Sequence, residues 1–132
     1  MYKFGKRSKE RLKGVDHRLI MVLDELIKMM DVTIIEGVRS AKRQEELLKK
    51  GATKVKYSKH MEGKAVDLAP YDPTVKGKID WNDRDTFHYM AGMVRGIGHL
   101  LNIKVRVGAD WDSDGNTKDN SFDDLVHIEL LD

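Results

Sequence analysis

What most constrains this chain lies near its C-terminus. Residues 103–107 and 126–130 are short apolar runs that read as strands, and the stretch between them, 108–124, is polar and lacks helical periodicity. Parallel neighbours are joined by a crossover, usually a helix, and this pair has none. A doubly wound parallel sheet is thereby disfavoured. The expectation is an α+β fold, a small antiparallel sheet packed with about three helices.

The rest of the chain supplies those helices. Val15, Leu19, Val22, Leu23, Leu26 and Met30 recur at spacings of three and four after Gly14, and Asp16 stands where a helix over about residues 17–30 needs its cap. Residues 32–38 are rich in β-branched side chains and read as a strand. Ser40 then caps a second helix that stops where Gly51 follows Lys50, so Arg39 lies where strand gives way to helix. Residues 65–69 form a short apolar run ended by Pro70. A loop with Pro73 and Gly77 leads to Asn82 or Asp83 as the cap of a third helix, whose buried stripe is Phe87, Met90, Ala91, Val94, Ile97 and Leu101. With 132 residues, 40% hydrophobic and 35% charged, the chain suits one domain with a modest core.

Charge and cysteine content narrow the function classes. The 24 basic residues barely exceed the 22 acidic ones, so nucleic-acid binding is not implied, although bases crowd the N-terminal half and favour an anionic surface there. Absence of cysteine excludes disulfides, thiolate metal sites and cysteine nucleophiles. Residues 1–13 are basic with no apolar run after them, unlike a signal peptide, and no stretch approaches the roughly 20 apolar residues of a membrane span. Synthesis as a soluble cytoplasmic product is expected.

Of the five histidines, His17, His88 and His99 lie on or beside helices and suit ordinary packing. His60 and His127 remain. Strand alternation over 65–69 sets Asp67 opposite Val66 and Leu68, and alternation over 126–130 sets His127 and Glu129 opposite Val126, Ile128 and Leu130. If those strands are neighbours, and Gly63 turns the preceding loop back over them, His60, Asp67 and His127 converge. Three nitrogen and oxygen ligands with an open fourth position describe a catalytic zinc site. Spacing alone also suits a loop histidine beside two ordinary polar strand positions. Asp124, three residues before His127, could exchange a proton with an attacking water, with Asp123 as its competitor. Arg39 could donate to an oxyanion or equally serve as a surface charge.

At this point the residues form a known pattern. Ser58-Lys59-His60-Met61-Glu62-Gly63-Lys64-Ala65-Val66-Asp67 resembles the S-x-H-x-x-G-x-A-x-D signature of the zinc D-Ala-D-Ala carboxypeptidase and L-alanyl-D-glutamate endopeptidase family. Asp124-Leu125-Val126-His127 resembles its D/E-x-x-H signature. Resemblance extends through Gly37-Val38-Arg39-Ser40, residues 77–82 and Gly108-Ala109-Asp110-Trp111, and is nearest to single-domain endolysins of tailed bacteriophages. It implies a fold shared with the hedgehog domain, zinc on His60, Asp67 and His127, Asp124 as acid/base, and Arg39 steadying the substrate carbonyl. Ser58 would bond substrate or support the site, or act structurally. The implied reaction cleaves the L-alanyl-D-glutamate bond of peptidoglycan stem peptides. Such an enzyme, expected to be monomeric, would leave the cytoplasm only after another protein permeabilised the membrane.

Asp110, Asp112 and Asp114 alternate before Gly115, imitating the start of a calcium-binding EF-hand loop, although the twelfth position is Ser121 and not glutamate. Calcium ordering this loop, and an ordinary turn, are both compatible with it. Rival functions are a D,D-carboxypeptidase or D-Ala-D-Ala dipeptidase on the same site, an inactive wall-binding module, and an electrostatic nucleic-acid binder. Asp124 beside His127 disfavours the inactive module.

Overall fold

The computed structural model describes residues 1–53, 55–118 and 124–132. Its elements are α1 (Lys6–Arg11), α2 (His17–Met29), β1 (Val32–Glu36), α3 (Ala41–Lys49), a 3-10 turn (Lys59–Glu62), β2 (Ala65–Pro70), α4 (Arg84–Leu100), β3 (Val105–Val107) and β4 (His127–Leu130). The four strands form one antiparallel sheet in the order β1-β2-β4-β3. This is the α+β architecture expected.

Local chemistry starts the helices where the sequence indicates. Asp16 accepts from the Arg18 backbone N–H at 2.9 Å, Ser40 Oγ from Arg43 at 3.0 Å, and Asp83 from Thr86 at 3.2 Å. Leu19, Val22, Leu23 and Leu26 of α2 join Phe87, Met90 and Val94 of α4 in the core with Ile34, Leu68 and Ile128 of the sheet. Burying each such side chain contributes about 1.5–3 kcal/mol. Among the described residues, no helix is long and apolar enough to cross a membrane.

Two elements depart from the sequence reading. Residues 1–13, read only as a basic stretch, contain α1, so the sheet carries four α-helices among the described residues. Six residues are too few for a stable isolated helix. Tertiary contacts hold it: Ser8 Oγ accepts from the Ile34 N–H at 3.0 Å and Arg11 Nη1 donates to the Ile34 carbonyl at 2.8 Å. Ile34 lies on the edge strand, so α1 saturates backbone groups that would otherwise be open to another chain. The second departure is the 3-10 turn, over residues read as loop. Its Gly63 has φ 72°, and a Cβ there would lie 2.5 Å from the Gly14 carbonyl oxygen. Gly63 O also accepts from the Asp16 N–H at 2.8 Å, tying this turn to the start of α2.

Candidate active site

Strand pairing makes the centre. Asp67 and His127 are direct partners in the β2–β4 register, and the 3-10 turn brings His60 to the same face. His60 Nε2 lies 3.1 Å and His127 Nδ1 3.2 Å from the same oxygen, Asp67 Oδ1. The two rings meet edge to face at 5.2 Å between centroids. One ligand atom from each residue falls within 4.8 Å of the others. His60 is buried, and its Nδ1 faces the Gly37 carbonyl at 2.9 Å. Only an N–H can satisfy a carbonyl, so the Nε2 lone pair of a neutral His60 faces a carboxylate oxygen. Two acceptors face to face call for a cation between them. This donor set, two imidazoles and one carboxylate without sulfur, fits a divalent metal such as zinc.

The electrostatics follow from that crowding. Burial raises the Asp67 carboxyl, but the two imidazoles of His127 and His60 against its Oδ1 outweigh it and hold the group well below the usual carboxylate range. Burial lowers the His127 imidazole, and Asp67 and Glu129 reverse this and push it up to about 9. Asp124 is raised, first by burial and then by the charge of Asp67. Its backbone N–H donates to the Gly108 carbonyl at 3.1 Å, and its own carbonyl accepts from the His127 N–H at 3.1 Å. Gly108 permits this approach, since a Cβ there would lie 2.0 Å from the Asp124 carbonyl oxygen. Asp123 lies outside the described residues.

A model of the phage L-alanyl-D-glutamate peptidase family matches residues 1–131. The L-alanyl-D-glutamate peptidase of Escherichia phage T5 is 35% identical over 138 residues, covering 98% of this chain and 98% of that protein. This chain belongs to the phage L-alanyl-D-glutamate peptidase family. The peptidoglycan L-alanyl-D-glutamate endopeptidase CwlK of Bacillus subtilis strain 168 is 30% identical over 125 residues, 79% of this chain and 63% of that protein. Among solved structures, the L-Ala D-Glu endopeptidase ChiX of Serratia marcescens superposes with a TM-score of 0.80 at 26% identity, covering 98% of this chain and 90% of that one.

Within this family member, Arg39 and Ser58 sit beside the centre in particular ways. Arg39 donates from its backbone N–H to the His60 carbonyl at 2.9 Å. Its guanidinium is held by Glu36, with Nε at 2.7 Å and Nη2 closer still, and by Gln44 Oε1 at 2.8 Å. Gln44 is buried and donates onward to the Val55 carbonyl at 2.7 Å. Ser58 Oγ accepts from the His60 N–H at 3.2 Å, capping the turn that carries that histidine.

Sequence reasoning missed Glu36 and Gln44, whose neighbours are chosen by the tertiary fold. It also gave no role to Glu129, although strand alternation had set it on the His127 face. Trp111 stands beside His127 with 5.5 Å between ring centroids, and Arg106 lies over the same indole at 5.5 Å.

Asp110, Asp112 and Asp114 also gather, with carboxylate oxygens within 4.8 Å. Asp110 is buried, and its Oδ2 accepts from Arg95 at 3.0 Å and from the Gly115 N–H at 2.8 Å. Its Oδ1 is buried with no hydrogen-bond partner among the described residues. Loss of solvent, then Asp110 and Asp114, raise the Asp112 carboxyl. Ser121 lies outside the described residues.

Proposed function

We propose that this chain is a single peptidase domain that hydrolyses the L-alanyl-D-glutamate bond of peptidoglycan stem peptides with one zinc ion held by His60, Asp67 and His127, acting on the cell wall as a monomeric phage lysis enzyme. One observation carries the reading: the imidazoles of buried His60 and half-buried His127 converge on a single Asp67 oxygen, beside a carboxyl of raised pKa, in a chain of this family.

Bound zinc would supply Lewis acidity toward the scissile carbonyl and lower the pKa of the attacking water. Asp124 takes the proton released by that water and returns it to the nitrogen of D-glutamate as the C–N bond breaks. Its raised pKa makes it a better proton acceptor than an ordinary aspartate, as this role needs. Arg39 has more N–H donors than Glu36 and Gln44 use, and those left over serve the carbonyl oxygen as it gains charge. Ser58 supports the site through the His60 backbone.

The test is mass spectrometry of purified peptidoglycan digested by zinc-loaded protein, with a chelator-treated control. Stem peptides beginning at D-glutamate, released only with metal, are the expected products. Loss of terminal D-alanine would instead assign a D,D-carboxypeptidase, and no cleavage a binding module.

A second reading concerns calcium. The unpartnered, buried Asp110 Oδ1, with oxygens of Asp112 and Asp114 gathered within 4.8 Å, favours a cation at Asp110, Asp112 and Asp114. Calcium there would order the loop ahead of Asp124. Activity titrated against free calcium at fixed zinc should rise and saturate; a flat response removes the reading.

A further inference from the structure

Glu129 follows His127 by two residues on β4 and shares its face. Its side chain is only 8% exposed, and its two oxygens have different partners. Oε1 faces His127 Nε2 at 2.8 Å. Oε2 is held by Arg106 Nη2 at 2.8 Å and by Lys59 Nζ at 3.2 Å. Arg106 is the register partner of Glu129 across β3–β4, and Lys59 precedes His60 in the 3-10 turn.

A buried charge held by two cations contributes little to stability compared with an apolar replacement. Its orientation is the informative feature. A neutral imidazole has one N–H and one lone pair, and a fixed carboxylate facing one nitrogen decides which is which. We infer that Glu129 is a positioning residue: it accepts the Nε2 proton of His127 and so commits Nδ1 to the space shared with Asp67 and His60, while Lys59 and Arg106 keep the carboxylate aimed. Without it the ring can turn over and offer either nitrogen. The inference rests on the metal reading proposed above.

Zinc titration of metal-free protein against a competing chelator, with nitrogen NMR of the zinc-loaded state, tests the two readings separately. Wild type should bind zinc with the His127 proton on Nε2. Glu129→Ala should weaken zinc binding about 10–100-fold and lose the single nitrogen assignment. Glu129→Gln, which retains an oxygen acceptor, should keep the assignment and most of the affinity. Wild-type affinity and assignment in Glu129→Ala overturn the positioning role while leaving the metal site intact. Zinc binding indifferent to His127→Ala overturns the metal reading and this inference with it. If Glu129→Ala does not fold, wild type alone decides, because a proton on Nδ1 of its zinc-loaded His127 contradicts the proposal.

Discussion

Two clusters of ligand-type side chains occur among the described residues, and they are built in opposite ways. His60, Asp67 and His127 come from a turn and two paired strands, and each is braced by something outside the cluster: Gly37 behind His60, Glu129 behind His127, the β2–β4 register under Asp67. Asp110, Asp112 and Asp114 come from one loop. Beside the Arg95 contact to Asp110, their hydrogen bonds include short-range ones within the loop, such as Asp112 Oδ1 accepting from the Asp114 N–H at 3.3 Å and Asp114 Oδ1 from the Asn116 N–H at 2.8 Å. A centre assembled from distant segments has its geometry fixed by the fold around it, whereas a loop of alternating carboxylates brings like charges together through local turns, where a cation would offset their repulsion.

Perturbing the strand-built centre should have the larger consequences. Asp124→Ala should lower turnover by about 10²–10⁴-fold while zinc content and melting temperature hold, and His127→Ala should lose zinc and turnover together. Metal analysis beside a peptidoglycan hydrolysis assay separates the two, and an active Asp124→Ala enzyme would sink its acid/base role. Next comes a brace behind His60. Gly63→Ala places a side chain at φ 72° and 2.5 Å from the Gly14 carbonyl oxygen, so unfolding free energy should drop by about 2–4 kcal/mol, with weaker zinc binding, in denaturant titrations of both forms.

The loop should respond to calcium and not to zinc. At about 100 times its Kd, calcium should stabilise the protein by about 2.7 kcal/mol, read as a higher melting temperature, and Asp110→Asn should abolish that gain. A calcium shift that survives Asp110→Asn would place the ion elsewhere.

The smallest effect is expected at Asp16, which joins α2 to the Gly63 turn. Its side chain caps the helix and pairs with Arg18 at 3.0 Å, and the hydrogen bonds from Arg18 hold its carboxyl below the ordinary value of 3.8. A depressed carboxylate stabilises the fold at pH above its unfolded pKa, and that contribution disappears as pH falls through the lower folded value. Asp16→Ala should cost about 1 kcal/mol near neutral pH and less at strongly acid pH, measured by urea unfolding across the range.

How far each region could be read from the sequence tracks the same difference. The aspartate loop was visible as a pattern because its members are two residues apart. Caps at Asp16, Ser40 and Asp83 and the stripes of α2 and α4 were visible because a helix repeats every few residues, and the site face of β4 because a strand alternates. For α1 the local signal was absent: nothing in a basic six-residue segment announces a helix, and only the unsatisfied edge of β1 at Ile34 gives Ser8 and Arg11 their partners. Motif resemblance named His60, Asp67, His127 and Asp124, but spacing alone left the pairing of their strands conditional.

By itself, then, the sequence determined α2, α3 and α4, the α+β class and which polar side chains stand off the apolar faces, because these depend on neighbours within a few residues. Tertiary structure alone decided that Asp67 and His127 are register partners, that Glu129 stands behind the histidine with Lys59 and Arg106, and that Glu36 and Gln44 hold Arg39. Those choices depend on which strand edges meet and what is buried when they do. Sequence periodicity carries no record of that pairing.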